Sequence, residues 1–134
     1  MEEASLMVRI KTAYDANDCQ GVVDVMREGT SNAKVAEEGC AALKSLSYND
    51  DNRKRIGEVG GIAMILRMME MHGASNAEVA KQGCGALSSL SFNANNKRKI
   101  LAANGVSMVE RMKSIWVSNE GVQEYADSAL SNLR

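Results

Sequence analysis

The chain has no proline, a single histidine, and only one Phe, one Trp and three Tyr in 134 residues. So few aromatics argue against sandwich folds and aromatic-rich cores, and one histidine cannot build a His-rich metal site. Cysteine is sparse as well. Cys19, Cys40 and Cys84 show no CxxC spacing and cannot all pair within one chain, so reduced core thiols are expected. No apolar run approaches the roughly 18 to 20 residues of a membrane span, and the start Met1-Glu2-Glu3 lacks the basic and apolar regions of a signal peptide. Charge of one sign is also missing, with 16 Lys and Arg against 17 Asp and Glu. At 45% hydrophobic and 25% charged, what remains is an ordinary globular composition of one domain's length. The expected location is the cytoplasm or the nucleus, without membrane insertion.

Motifs that carry chemistry are thin. A Cys–His dyad would need His72 beside a thiol expected in the core. No enzymatic activity, cofactor or metal is therefore predicted. Gly57-Glu58-Val59-Gly60-Gly61 lacks the Gly-Lys-Ser/Thr ending of a phosphate loop, and Gly83-Cys84-Gly85 falls inside a helical pattern with no strand before it. Asp15 to Gly21 faintly follows a calcium loop. Its glycine comes one place late, and Met26 stands where a bidentate glutamate belongs.

What the chain does have is internal repetition. Residues 32–62 align without a gap to 76–106, a shift of 44, and share 15 of 31 positions. Asn119 to Arg134 repeats the first half of the unit with Ala126, Leu130 and Leu133 in place of Gly83, Leu87 and Leu90. Gly21 to Met26 is a degenerate match to Gly61 to Leu66. Within a unit, Val79, Gly83, Leu87 and Leu90 share one face of a helix of about 15 residues, which Asn76 is placed to cap. A polar break at Asn93 to Asn96 precedes a short basic helix, Lys97 to Ala103, which ends at the junction Asn104-Gly105. Val106, Met108, Val109, Met112, Ile115 and Val117 then mark a helix packed on more than one side. Met64, Met68, Met69 and Met71, echoed by Met108 and Met112, are expected as core filling. Gly39 and Gly83 occupy matching points inside the long helix, where glycine costs about 0.5–1 kcal/mol relative to alanine. Repetition at a costly site predicts close helix approach there.

These residues resemble the armadillo repeat family, whose unit is a short helix, a turn with paired glycines, a second helix and a long third helix. The matching marks are Asn52-Arg53-Lys54-Arg55-Ile56, Gly60-Gly61-Ile62 and Ala42-Leu43-Lys44-Ser45-Leu46-Ser47, the first two recurring as Asn96 to Ile100 and Asn104-Gly105-Val106. HEAT repeats, the neighbouring alternative, usually have two helices per unit. The resemblance runs from about Gly21 to Arg134 and implies an all-α, right-handed α-solenoid, or superhelix, of about three three-helix repeats. They form a single domain, 1–134, with repeats at approximately 1–48, 49–92 and 93–134. The leading helix would run from Glu2 to about Tyr14, with Leu6, Met7 and Ile10 on its apolar side. About three units are needed because one alone cannot bury its apolar face.

In armadillo proteins the third helices line a concave groove that binds extended peptides through a recurrent tryptophan and asparagine one turn apart. The tryptophan positions here hold Ala41, Gly85 and Ser128, and the asparagine positions hold Ser45, Ser89 and Asn132. Only Asn132 keeps the pattern. One turn earlier, Glu37, Lys81 and Glu124 form a mixed row with no acidic field to select a polybasic ligand. The resemblance thus implies a non-enzymatic interaction module of scaffold or adaptor kind. Its groove of alanine, glycine and serine should be open and shallow, suited to a helix or a bulky side chain. Two other readings stay open: a structural segment that stacks or self-associates through its ends, and a phosphate or nucleic-acid binder. The latter would use a basic ridge of Arg53, Lys54 and Arg55 beside Lys97, Arg98 and Lys99. The overall charge, nearby Asp50, Asp51 and Glu58, and the absence of interleaved aromatics weigh against nucleic acid.

Overall fold

The computed structural model describes residues 2–134. Among the described residues the chain forms nine α-helices and no strand. They are α1 (Glu3–Asp15), α2 (Cys19–Glu28), α3 (Ala33–Leu46), α4 (Asp50–Glu58), α5 (Gly61–His72), α6 (Ala77–Leu90), α7 (Ala94–Ala102), α8 (Gly105–Ile115) and α9 (Glu120–Leu133). Without proline, most helices are started by polar caps. The side chains of Asp18, Asn32, Asn49, Asn76, Asn93 and Asn119 each accept the backbone N–H three residues on. The starts of α5 and α8 differ. Gly60 (φ 87°) and Asn104 (φ 62°) turn the chain through the left-handed region. Gly61 and Gly105 follow, each where a Cβ would come within 2.9 Å of a carbonyl oxygen, that of Ile56 or Ile100. A side chain at either glycine would break the turn.

The three long helices lie side by side, α6 packing against α3 and α9, with α2, α5 and α8 each packed on the long helix that follows. Met26, Met69 and Met112, one from each second helix, are fully buried. The predicted close approach is present. A Cβ on Gly39 would stand 2.5 Å from Met26 Cγ, and one on Gly83 would stand 2.6 Å from Met69 Cγ and Sδ. Cys40 and Cys84, the next residues along, are buried in the same core.

Successive units are tied by hydrogen bonds from side chains of the later unit to carbonyls of the earlier one. At the C-terminal ends of the second helices, His72 Nε2 lies 2.8 Å from Thr30 O, and Trp116 Nε1 donates to Gly73 O at 2.7 Å. Since a carbonyl only accepts, His72 carries its proton on Nε2. On the short helices, Asn96 Nδ2 donates to Arg53 O (2.7 Å) and Lys99 Nζ to Gly57 O (3.0 Å). Asn52 likewise reaches back, to Asn17 Oδ1 and to Leu46 O, both at 2.8 Å.

Three expectations need correction. The stretch Asn93 to Asn96 is no break: Asn93 caps α7, which starts at Ala94, and Asn96 is buried in its first turn. Val117 lies beyond the end of α8 and is 71% exposed, and Ile115 and Met71 are exposed too, so none of the three fills the core. Finally α1, at 13 residues against nine for α4 and α7, does not sit as they do. It packs along both α2 and α3, on the side of α3 away from α6.

Candidate interaction site

The face built by the long helices is not uniform. At its N-terminal end α1 and α3 enclose an open cleft of about 550 Å³. Met7, Val8, Ile10 and Tyr14 line one wall and Ala41, Ala42 and Ser45 the other, with Lys11 and Glu38 at the rim. Val8 is 65% exposed and Tyr14 is also exposed, whereas Leu6, Ile10 and Ala13 of the same helix are buried. Lys11 is held by Asp15 at 2.7 Å. Ala41 and Ser45 were expected groove residues. Val8 and Tyr14 were not, because only the packing of α1 on α3 brings them to the same cleft.

The middle of the face is closed, against the expectation of an open floor. Lys44 of α3 crosses α6 at Gly85 and reaches α9, where its Nζ donates to Tyr125 Oη at 3.2 Å and lies 4.6 Å from the ring centroid. Gly85 is buried beneath this bridge, its missing Cβ 2.6 Å from Lys44 Cδ and 3.4 Å from Tyr125 Cδ2. Lys81 approaches the same ring from α6, at 5.8 Å. Glu37 accepts from Asn76 Nδ2 and pairs with Lys34 at 3.3 Å. Ser89 and Asn132 are also engaged. Ser89 Oγ donates to Ser47 O (2.8 Å), and Asn132 Nδ2 donates to Ser88 O (3.0 Å) and Ser88 Oγ (3.2 Å). The Asn132 amide N–H, expected to face a ligand, is spent on the neighbouring helix. Glu124 and Ser128 remain exposed on α9.

The basic residues do come together, since α4 packs on α7. Arg53 is half-buried, donates to Tyr48 O at 3.0 Å and stacks its guanidinium over the Phe92 ring at 5.4 Å. Lys99 is tied to Gly57 O and Arg98 to Asn95. Lys54 and Arg55 are exposed, and Lys97 is half-buried. Sequence reasoning missed the aromatics here. Tyr48 and Phe92, one unit apart, are 75% and 67% exposed beside this ridge. Their equivalence under the shift of 44 was the available signal.

The remaining groups offer little chemistry. Burial pushes the Cys40 and Cys84 thiols up to about 12, far from a reactive thiolate, and raises Cys19 as well, where the nearby Asp18 charge adds to it. Among the described residues no group of three or more His, Cys, Asp and Glu side chains is placed to hold a metal, and no helix is long and apolar enough to cross a membrane. No family model matches the chain, and no curated protein matches it. Among solved structures it is similar to the crystal structure of an engineered protein from the Northeast Structural Genomics Consortium, at 23% identity and a TM-score of 0.74. The match covers 92% of this chain and 48% of the engineered one, so the chain spans about half that protein's length. At this identity the likeness speaks for the all-helical fold alone.

Proposed function

We propose that the chain is a non-enzymatic interaction module, an armadillo-type α-solenoid of three units that takes a segment of another protein against the face of its long helices. The cleft between α1 and α3 carries this reading. A solvent-open apolar trough, with the large side chains Val8 and Tyr14 left outside the core, is the kind of surface that a partner's apolar side chains cover. The trough suits an amphipathic helix better than a clamped strand. Its walls are alkyl and aromatic groups apart from the Ser45 hydroxyl, whereas Asn132 and Ser89, the other polar groups that would hold a peptide backbone, are bonded to neighbouring helices. The non-enzymatic reading is supported by buried thiols and by a histidine committed to Thr30. Repetition every 43 or 44 residues, the glycine turns at 60–61 and 104–105, and the recurring unit-to-unit hydrogen bonds support the repeat architecture. Head-to-tail stacking of copies is the weaker alternative because α1 covers the outer side of α3. The test is affinity capture with the native protein and with Val8→Asp/Ala41→Arg, both changes lying in the cleft and outside the core. Partners retained by the native chain should be lost by the variant, and identical partner lists would remove the cleft from consideration.

A further inference from the structure

Away from the cleft, at the edge where the long helices turn into the short ones, Tyr48 and Phe92 stand exposed in equivalent turns. They are not loose side chains. Arg53 links them, donating to the Tyr48 carbonyl while its guanidinium lies on the Phe92 ring. Its Nε is buried without a hydrogen-bond partner. Lys97 holds in its own unit the place that Arg53 holds one unit earlier, five residues after the aromatic, so the edge alternates Tyr48, Arg53, Phe92 and Lys97. Charge is distributed unevenly along it. The first turn of α4, next to Tyr48, carries Asp50 and Asp51, whereas α7, next to Phe92, contains Lys97, Arg98 and Lys99 and no acid.

We propose that this edge is a second interaction surface, which takes an acidic peptide segment bearing large apolar side chains. The apolar groups would pack on Tyr48 and Phe92, and carboxylates would meet Lys97 and Arg98. Exposed aromatics bridged by an arginine are the residue types that anchor protein interfaces, and the cationic end supplies complementarity to carboxylates. A single-stranded nucleic acid fits less well. One face of Phe92 is already covered by Arg53, leaving a single face for a base. A backbone with a charge at every nucleotide would also run past Asp50 and Asp51, whereas a peptide can place a neutral residue there.

The experiment is a display selection of random dodecamer peptides on the native chain, counter-selected on Tyr48→Ser/Phe92→Ser. Both substituted side chains are solvent-exposed, and an unchanged circular-dichroism melt checks the fold. Peptides specific to the native chain should combine Asp or Glu with Leu, Ile, Phe or Trp. Their binding, read by fluorescence anisotropy, should weaken at least tenfold for Phe92→Ser and for Lys97→Glu/Arg98→Glu, and should fall with rising salt. No peptide discriminating the two baits, or discriminating peptides without acidic enrichment, overturns the proposal. So does a labelled uridine dodecamer that binds more tightly than the selected peptides and is lost with Phe92→Ser.

Discussion

Gly83→Ala tests whether Met69 of α5 is what forces glycine into α6, as Met26 of α2 meets Gly39 of α3. Removing glycine from a helix interior should stabilise by about 0.5–1 kcal/mol from propensity alone. At this position the new Cβ would stand 2.6 Å from both Cγ and Sδ of Met69, a side chain that is wholly buried and so cannot swing into solvent. Overpacking of that kind costs about 1–3 kcal/mol. The cost exceeds the gain, so a net loss of about 1 kcal/mol is expected, seen as a lower urea midpoint at unchanged slope and a fall of about 3–5 °C in Tm. Gly121→Ala is the contrasting case. There the Cβ meets Lys81 Cδ at 2.9 Å and Cε at 3.1 Å, the outer part of a flexible side chain that can move aside, so the propensity gain should survive. A double-mutant cycle completes the argument: Met69→Ala alone should cost about 2–5 kcal/mol, and the pair should cost at least about 1 kcal/mol less than the sum of the two changes. If Gly83→Ala is as stable as the native chain, or if the two changes add, Met69 is not the constraint.

Asn96→Ala leaves the Arg53 carbonyl without its 2.7 Å donor at the α4–α7 contact and should cost about 1–3 kcal/mol in urea unfolding; a loss below about 0.5 kcal/mol would mean that water replaces the amide. Cys40 and Cys84 should resist a thiol-reactive dye at pH 8 in the folded chain and react once it is unfolded. Because burial raises their folded values to about 12, above the ordinary thiol value of 9.0, the folded state holds protons that the unfolded state releases. Their contribution to stability is therefore complete below pH 9 and is lost as pH rises from 9 towards 12. Replacing both with alanine should flatten the fall in unfolding free energy over that range, and an unchanged slope would refute this assignment.

Helix order and number are written in the spacing of apolar residues and in the asparagines that precede each long helix, because amphipathic periodicity and capping are local. Val79, Gly83, Leu87 and Leu90 are all buried on α6, and Asn76 caps it. The errors arise where distant packing decides. Asn96 reads as part of a polar break, yet it is buried because its amide satisfies a carbonyl 43 residues earlier. Val117 reads as core by its side chain and is exposed because α8 has already ended. The α1–α3 cleft was half legible. Ala41 and Ser45 follow from the repeat, but Val8 and Tyr14 belong to a leading helix that is longer than α4 and α7 and packs more closely on its long helix.

The row of small residues at positions 41, 85 and 128 has a physical cause at its centre. Lys44 and Tyr125 meet across α6, and the lysine stem passes so close to the backbone that even a methyl group at 85 would stand 2.6 Å from Cδ. Gly85 is therefore coupled to an interaction between residues 81 positions apart, which no local pattern reveals. A large side chain at 85 and the Lys44–Tyr125 bridge exclude each other. With the bridge in place the floor between α3 and α9 is filled by the chain's own side chains. Closing the centre leaves the exposed apolar surface of this face at its N-terminal end, where α1 diverges from the pattern of the later short helices.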